Sequence, residues 1–309
     1  MRSRLADSLR YILAQGDGIL SIPQERFQKF LADLEAHPVS PLAFSFYNDA
    51  VLAIEEDDIE SASGLLTELT RLPARTSGLE ILELTDPNHD AIGARYARFL
   101  NDDPSIKFEI SPPSQQVAAN CRAQIREAFT LLDAGDPELA GELRALLREI
   151  ILAAGTKDPK AITFDGASSF MLWGAIIINA DRSDGALGMV QMLAHESAHN
   201  LLFGFSADQA LVENAPEELF SSPLRKDPRP MDGIYHATFV TARMYRVVQQ
   251  LLDSGVLDAA AKEKAQKDLV DNARLFKQGI ETVQQFAKLS PLGESVIRGA
   301  AEYMAAATA

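Results

Sequence analysis

From Leu187 to Phe203 the chain reads LGMVQMLAHESAHNLLF, and its only strongly polar residues are Gln191, His195, Glu196, Ser197, His199 and Asn200. A run this apolar, with Ser183 or Asp184 in place to cap it, is expected to fold as a helix with its faces in a core. Whatever packs around that helix must accommodate two of the chain's five histidines and the glutamate beside the first.

On a helix, His195 and His199 stand about 40° apart and one turn above each other, sharing a stripe with Met192 and Leu202. Both imidazoles therefore point the same way. One histidine on an apolar face needs only a hydrogen-bond partner, but two with an adjacent carboxylate are expensive to bury unless something compensates. A divalent metal ion compensates. Neutral imidazoles at this spacing chelate one ion, and Glu196, completing an HExxH pattern, can handle a proton from bound water or substrate.

The third ligand decides which chemistry such a site supports. A metzincin needs a histidine at the position of Phe205, and Gly204 does not stand where that class places its glycine. A gluzincin takes a later glutamate, for which Glu213, Glu217 and Glu218 in LVENAPEELF are available, although Pro216 interrupts the segment and its charges read as a solvated loop. His236 is the stronger candidate. It follows a loop ending at Pro230, with Asp232 placed to cap, in a stretch from Ile234 to Leu252 whose inward face is His236, Phe239, Val240 and Met244. His37 and His89 lie in segments expected to face solvent.

Elsewhere the periodicity is mostly helical, and the expected class is mainly α with a small β component: an HExxH helix beside a short sheet or hairpin, embedded in a helical body. PQERFQKFLADLEAH, PLAFSFYNDAVLAIEEDD and IESASGLLTELTRL suggest an N-terminal helical layer. LEILELTD and IKFEISPP are candidate strands, after which SQQVAANCRAQIREAFTLLDAG and DPELAGELRALLREIILAAG are expected to be helical, stopping at Gly135 and Gly155. ITFDGASSFMLWGAIIINA reads as a strand or hairpin, and FMLWGAIII within it as either an edge strand able to pair with an extended peptide or an ordinary core strand. The C-terminal AAKEKAQKDLVDNARLFKQGIETVQQFAKL predicts one or two long amphipathic helices. A soft boundary near residue 110 separates an N-terminal helical region, 1–110, from a metal-binding region, 111–309, although one domain is equally consistent.

Composition narrows the partners. At 309 residues, with 47% hydrophobic and 24% charged residues, the chain can bury a substantial core without staples. A net charge of −15 disfavours nucleic acid, whose recognition requires clustered Lys and Arg. No apolar run is long enough for a membrane span, and the N-terminus lacks the apolar core of a signal peptide. The one cysteine, Cys121, fits a buried structural thiol in a reducing compartment, so a cytoplasmic location is expected.

One loop departs from the acidic background. SSPLRKDPRP gathers Arg225, Lys226 and Arg229 between prolines immediately before the segment carrying His236. Guanidinium forks bind carboxylates in bidentate fashion, so a stiff loop beside a metal could hold an anionic co-substrate; pairing with local Asp or Glu is the simpler use.

Taken in order, SSFMLWGAIIIN, MLAHESAHNLL and SSPLRKDPRPMDGIYHATFV, spanning roughly residues 160 to 250, resemble the α-ketoglutarate-dependent HExxH peptide β-hydroxylases of ribosomally made peptide pathways. The block SP.R.DPRP..G..H is the more specific part of the likeness. Leu224 stands where the family has an aromatic residue, and the N-terminal half carries no distinctive match. The resemblance implies an Fe(II) and 2-oxoglutarate oxygenase acting on a side chain of a precursor peptide. His195, His199 and His236 would bind the metal, Glu196 would handle protons, and Arg225 or Arg229 would hold the distal carboxylate of 2-oxoglutarate. Three histidines depart from the usual two-histidine, one-carboxylate set, which leaves Glu196 or an acidic loop residue open as a ligand. Two alternatives stay open: a zinc peptidase with Glu196 as general base, and a non-catalytic peptide-binding protein with a vestigial site.

Overall fold

Four helices open the chain, the last three over segments expected from the sequence to be helical: α1 (Arg2–Gln15), α2 (Gln24–Ala36), α3 (Leu42–Glu55) and α4 (Ile59–Leu69). Phe27, Phe30, Leu31 and Leu34 form the buried stripe of α2, at the three- and four-residue intervals of a one-sided helix. These assignments come from a computed structural model that describes residues 1–73, 78–100, 109–155, 164–182, 184–222 and 227–309. The Ser183 cap, Leu224, Arg225, Lys226, the residues 106–108 of one candidate strand and the residues 162 and 163 of another lie outside the described residues.

The chain continues through β1 (Glu80–Glu83), α5 (Ala91–Leu100), β2 (Ile110–Ser111), α6 (Gln115–Gly135), α7 (Pro137–Leu146), β3 (Glu149–Gly155), β4 (Gly166–Ala167) and β5 (Ala175–Asn179). It ends with α8 (Gly185–Phe205), β6 (Leu219–Phe220), β7 (Arg229–Pro230), α9 (Met231–Ser254), α10 (Ala259–Phe286) and α11 (Pro291–Ala307). Helix dominates and strand is minor, so the protein is mainly α with a small β component. None of these helices is long and apolar enough to cross a membrane.

The described residues form two compact units that alternate along the chain: Met1–Ala118 with Arg144–Asp181, and Ala119–Leu143 with Arg182–Ala309. In the first, the sheet runs β1-β3-β5-β4, with β2 also paired to β3. The β1–β3 and β3–β5 pairs are parallel, and β4 returns antiparallel on β5. Its core draws on Leu9, Phe27, Leu34, Leu66, Ile151 and Ile177 among others. At the start of β3 the fully buried Glu149 accepts hydrogen bonds from Ser40 Oγ at 2.8 Å and from the Tyr96 hydroxyl.

The fold overturns two sequence expectations and decides between two readings of a third segment. The helix expected from Asp136 to Gly155 stops at Leu146, and EIILAAG becomes the central strand β3. A short apolar run buried on both faces carries no period, so helix and parallel strand look alike in sequence. Of the two readings of FMLWGAIII, the core strand holds for its second half: Phe170–Leu172 forms a 3₁₀ turn, and β5 lies between β3 and β4. Finally, α9 begins at Met231 after Pro230, and no side chain caps it, Asp232 included.

In the second unit, α8 packs against α9, and α9 against α10 and α11. Ala198, Leu202, Ile234, Tyr235, Val240, Val283 and Ile297 form their shared core. Gly293 lets α11 approach closely, because a Cβ there would meet the Leu211 carbonyl oxygen at 2.1 Å. Its own carbonyl accepts the Tyr235 hydroxyl at 2.8 Å. The polar residue Gln191 of α8 is satisfied by α10: it donates to Asp268 at 2.7 Å and accepts from Asn272 at 3.3 Å. Cys121 on α6 is buried, and burial pushes its thiol up to about 11.

Candidate functional site

Helix α8 places His195 and His199 on successive turns facing α9, as the four-residue spacing requires. Their Nε2 atoms are 3.2 Å apart. Two nitrogens that each bind one tetrahedral ion at about 2.0–2.1 Å are themselves separated by roughly 3.3 Å, so this pair is spaced to share an ion. His195 and His199 are half-buried, whereas Glu196 is 3% exposed and His236 8% exposed. The opening to solvent is therefore on the side of the helix pair. Glu196 Oε1 lies 3.9 Å from His195 Nε2, close enough to serve a group bound between the imidazoles.

His236 comes from the first turns of α9 and also reaches the cluster. Its Nδ1 meets His199 Nδ1 at 2.9 Å. The ring centroids are 5.2 Å apart and the planes differ by 18°. The centroid separation exceeds the nitrogen gap by about two ring radii, so these imidazoles lie edge to edge and nearly coplanar. His236 thus touches His199 on the side away from His195. Among the described residues no three His, Cys, Asp or Glu side chains are disposed to hold one ion. The two Nε2 atoms of α8 fit a metal, and the remaining positions are not supplied by imidazole nitrogens in this arrangement.

Two further neighbours border the cluster. Met244, two turns beyond His236, brings its Sδ to 3.3 Å from His195 Nδ1. Phe203 packs its ring 5.4 Å from that of His236 and 6.4 Å from that of His199. The sequence puts Met244 on the inward face of its helix but gives no sign that it meets a histidine. Phe203 has no signal beyond its place one turn after His199.

Burial holds His199 well below the ordinary imidazole value, with His195 and His236 adding to the effect. Burial also lowers His236, with Asp232 opposing. Both are therefore neutral near pH 7, the form in which imidazole ligates a metal.

Arg229 Nε lies 2.9 Å from Asp227 Oδ2, a charge contact with a local carboxylate. It sits in the β6–β7 hairpin opposite Phe220, directly before α9. Arg225 lies outside the described residues. Glu213 and Glu217 are exposed. Glu218 is engaged by Lys288 at 3.1 Å and Asn214 at 3.2 Å, both of which lower its pKa. His37 and His89 are exposed, and His89 pairs with Asp86 at 2.8 Å.

No protein-family model matches the chain, and neither does any curated protein.

Proposed function

We propose that this protein is a metal-dependent oxygenase using Fe(II) and 2-oxoglutarate to β-hydroxylate a side chain of a ribosomally made precursor peptide. The observation that carries the metal is the pair of Nε2 atoms 3.2 Å apart on half-buried imidazoles, with a buried carboxylate beside them. The choice of oxygenase over other metal chemistry rests on the SPLRKDPRP block and its distance from HExxH.

Bound at this pair, Fe(II) with 2-oxoglutarate would supply the oxidising power for C–H hydroxylation that no side chain possesses. The chain's own residues do the rest. His195 and His199 hold the ion through Nε2. Glu196, 3.9 Å from His195 Nε2, takes up or returns a proton on that side. Phe203 walls the histidines with an apolar surface. Arg225 and Arg229 are the cations proposed to hold the distal carboxylate, for which Arg229 would exchange Asp227 for the ligand.

A zinc peptidase is the second reading, and the position of Glu196 favours it, since a buried carboxylate beside the ligands is what a general base on metal-bound water requires. Anaerobic titration of the Fe(II) protein with 2-oxoglutarate separates the two. The oxygenase develops a weak visible charge-transfer band, which Arg229→Ala diminishes while metal content is retained. Peptide cleavage with zinc alone, without oxygen and without response to 2-oxoglutarate, would leave the peptidase standing.

A further inference from the structure

We infer that His236 and Met244, both on α9, are the outer hydrogen-bond partners that fix the two α8 histidines for metal binding, and that His236 is not itself the third ligand. The inference rests on the proposed metal site and specifies how its ligands are held.

The protons on the ring nitrogens can be counted. A thioether sulfur has no hydrogen to give, so at the 3.3 Å contact His195 Nδ1 must donate to Met244 Sδ. An imidazole that ligates a metal is neutral and carries one proton, so with Nδ1 as the donor His195 ligates through Nε2, the atom 3.2 Å from His199 Nε2. For an ion to take both Nε2 lone pairs, His199 must also carry its proton on Nδ1. That atom meets His236 Nδ1 at 2.9 Å, which must then accept, placing the His236 proton on Nε2. Each α8 histidine thus directs Nε2 at the ion and donates Nδ1–H to one atom of α9. Histidines that bind metals almost always give their second N–H to an outer acceptor.

The ring geometry supports the same division. Because His236 lies edge to edge with His199, its Nδ1 is across the His199 ring from the shared Nε2 gap. The His236 Nε2 is farther still. Moving either nitrogen to the ion would break the 2.9 Å contact and displace a ring that packs on Phe203.

Proton balance without the ion differs only in tautomer. With Met244 still requiring Nδ1–H on His195, His199 donates through Nε2 to His195, and His236 donates through Nδ1 to His199. Metal binding moves the His199 proton from Nε2 to Nδ1 and the His236 proton from Nδ1 to Nε2, by exchange with water. Three protons are present before and after.

Zn(II), which is diamagnetic, tests this on the full chain. Long-range ¹H–¹⁵N correlation of the five histidines should show His236 protonated at Nε2 with a pyridine-type Nδ1. X-ray absorption should count two imidazoles in wild type and two in His236→Gln. His236→Ala should weaken Zn(II) about 10- to 100-fold, with most of the loss recovered by His236→Gln, whose amide oxygen can accept. Met244→Leu should weaken binding about 10-fold at unchanged thermal stability. Three imidazoles in wild type falling to two in His236→Gln would overturn the inference and leave the metal site standing. Unchanged affinity in both His236→Ala and Met244→Leu would do the same. A wild-type protein that binds no Zn(II) or Fe(II) would remove the metal site as well.

Discussion

His195 and His199 stand one turn apart on α8 with their Nε2 atoms 3.2 Å from each other, while the Nδ1 atom of each is met by a residue of α9. The expected stoichiometry is one transition-metal ion per chain. His195→Ala and His199→Ala should each lower metal content to background, because either change leaves a single imidazole on the helix. Elemental analysis of the three proteins checks this, and equal occupancy in all of them would exclude the site.

Glu196 distinguishes the two enzyme classes by kinetics. If its carboxylate is the general base of a hydrolase, Glu196→Gln should lower turnover about 10²- to 10⁴-fold. In an oxygenase the same change should leave succinate formation from 2-oxoglutarate within about 10-fold of wild type, since the oxidation does not pass through that carboxylate. Metal content measured on the same samples ensures that a lost ion is not mistaken for a lost base.

The metal-free protein should lose stability on acidification. His199 in the folded state titrates well below 6.5, its unfolded value, so the unfolded chain binds the proton first. The stabilisation is complete above about pH 6.5 and is lost progressively as pH falls towards the folded value, at up to about 1.4 kcal/mol per pH unit for this residue. His236, also lowered, adds in the same direction. Urea midpoints of chelator-treated protein at about pH 7.5 and pH 5.5 should differ more in wild type than in His199→Leu.

Asp268 of α10 anchors Gln191, a buried amide side chain of α8. Asp268→Ala removes the 2.7 Å acceptor of Gln191 and leaves its NH₂ group short of a partner in a buried position, at a cost of about 1–3 kcal/mol. The same change also removes the Lys264 ion pair, which is half exposed and contributes little. A parallel Lys264→Ala measurement should therefore move the unfolding midpoint far less.

Tyr96→Phe should destabilise the first unit by about 1–3 kcal/mol, because it removes a hydroxyl donor to the fully buried Glu149. Chemical denaturation of the variant and of Ser40→Ala gives both contributions. Values near zero for both would overturn this expectation.

What the sequence determined by itself is what repeats along the chain or sits within one turn of helix. The apolar intervals of FQKFLADL and the long C-terminal segments specify α2, α10 and their inward faces, since a helix repeats its geometry every few residues. The HExxH spacing likewise determined that His195 and His199 share a side of α8, and the apolar period of Ile234–Leu252 that His236 and Met244 lie on the inward face of α9. It could not determine that EIILAAG is a strand, because a run buried on both faces has no period, and only pairing with β1 and β5 distinguishes it from a helix. Nor could it determine which nitrogen of His236 meets which ring, or that a thioether stands behind His195. Those contacts join residues 37 and 49 positions apart, and they depend on the rotation and offset of α9 against α8, which the packing of Ala198, Leu202, Tyr235 and Val240 decides.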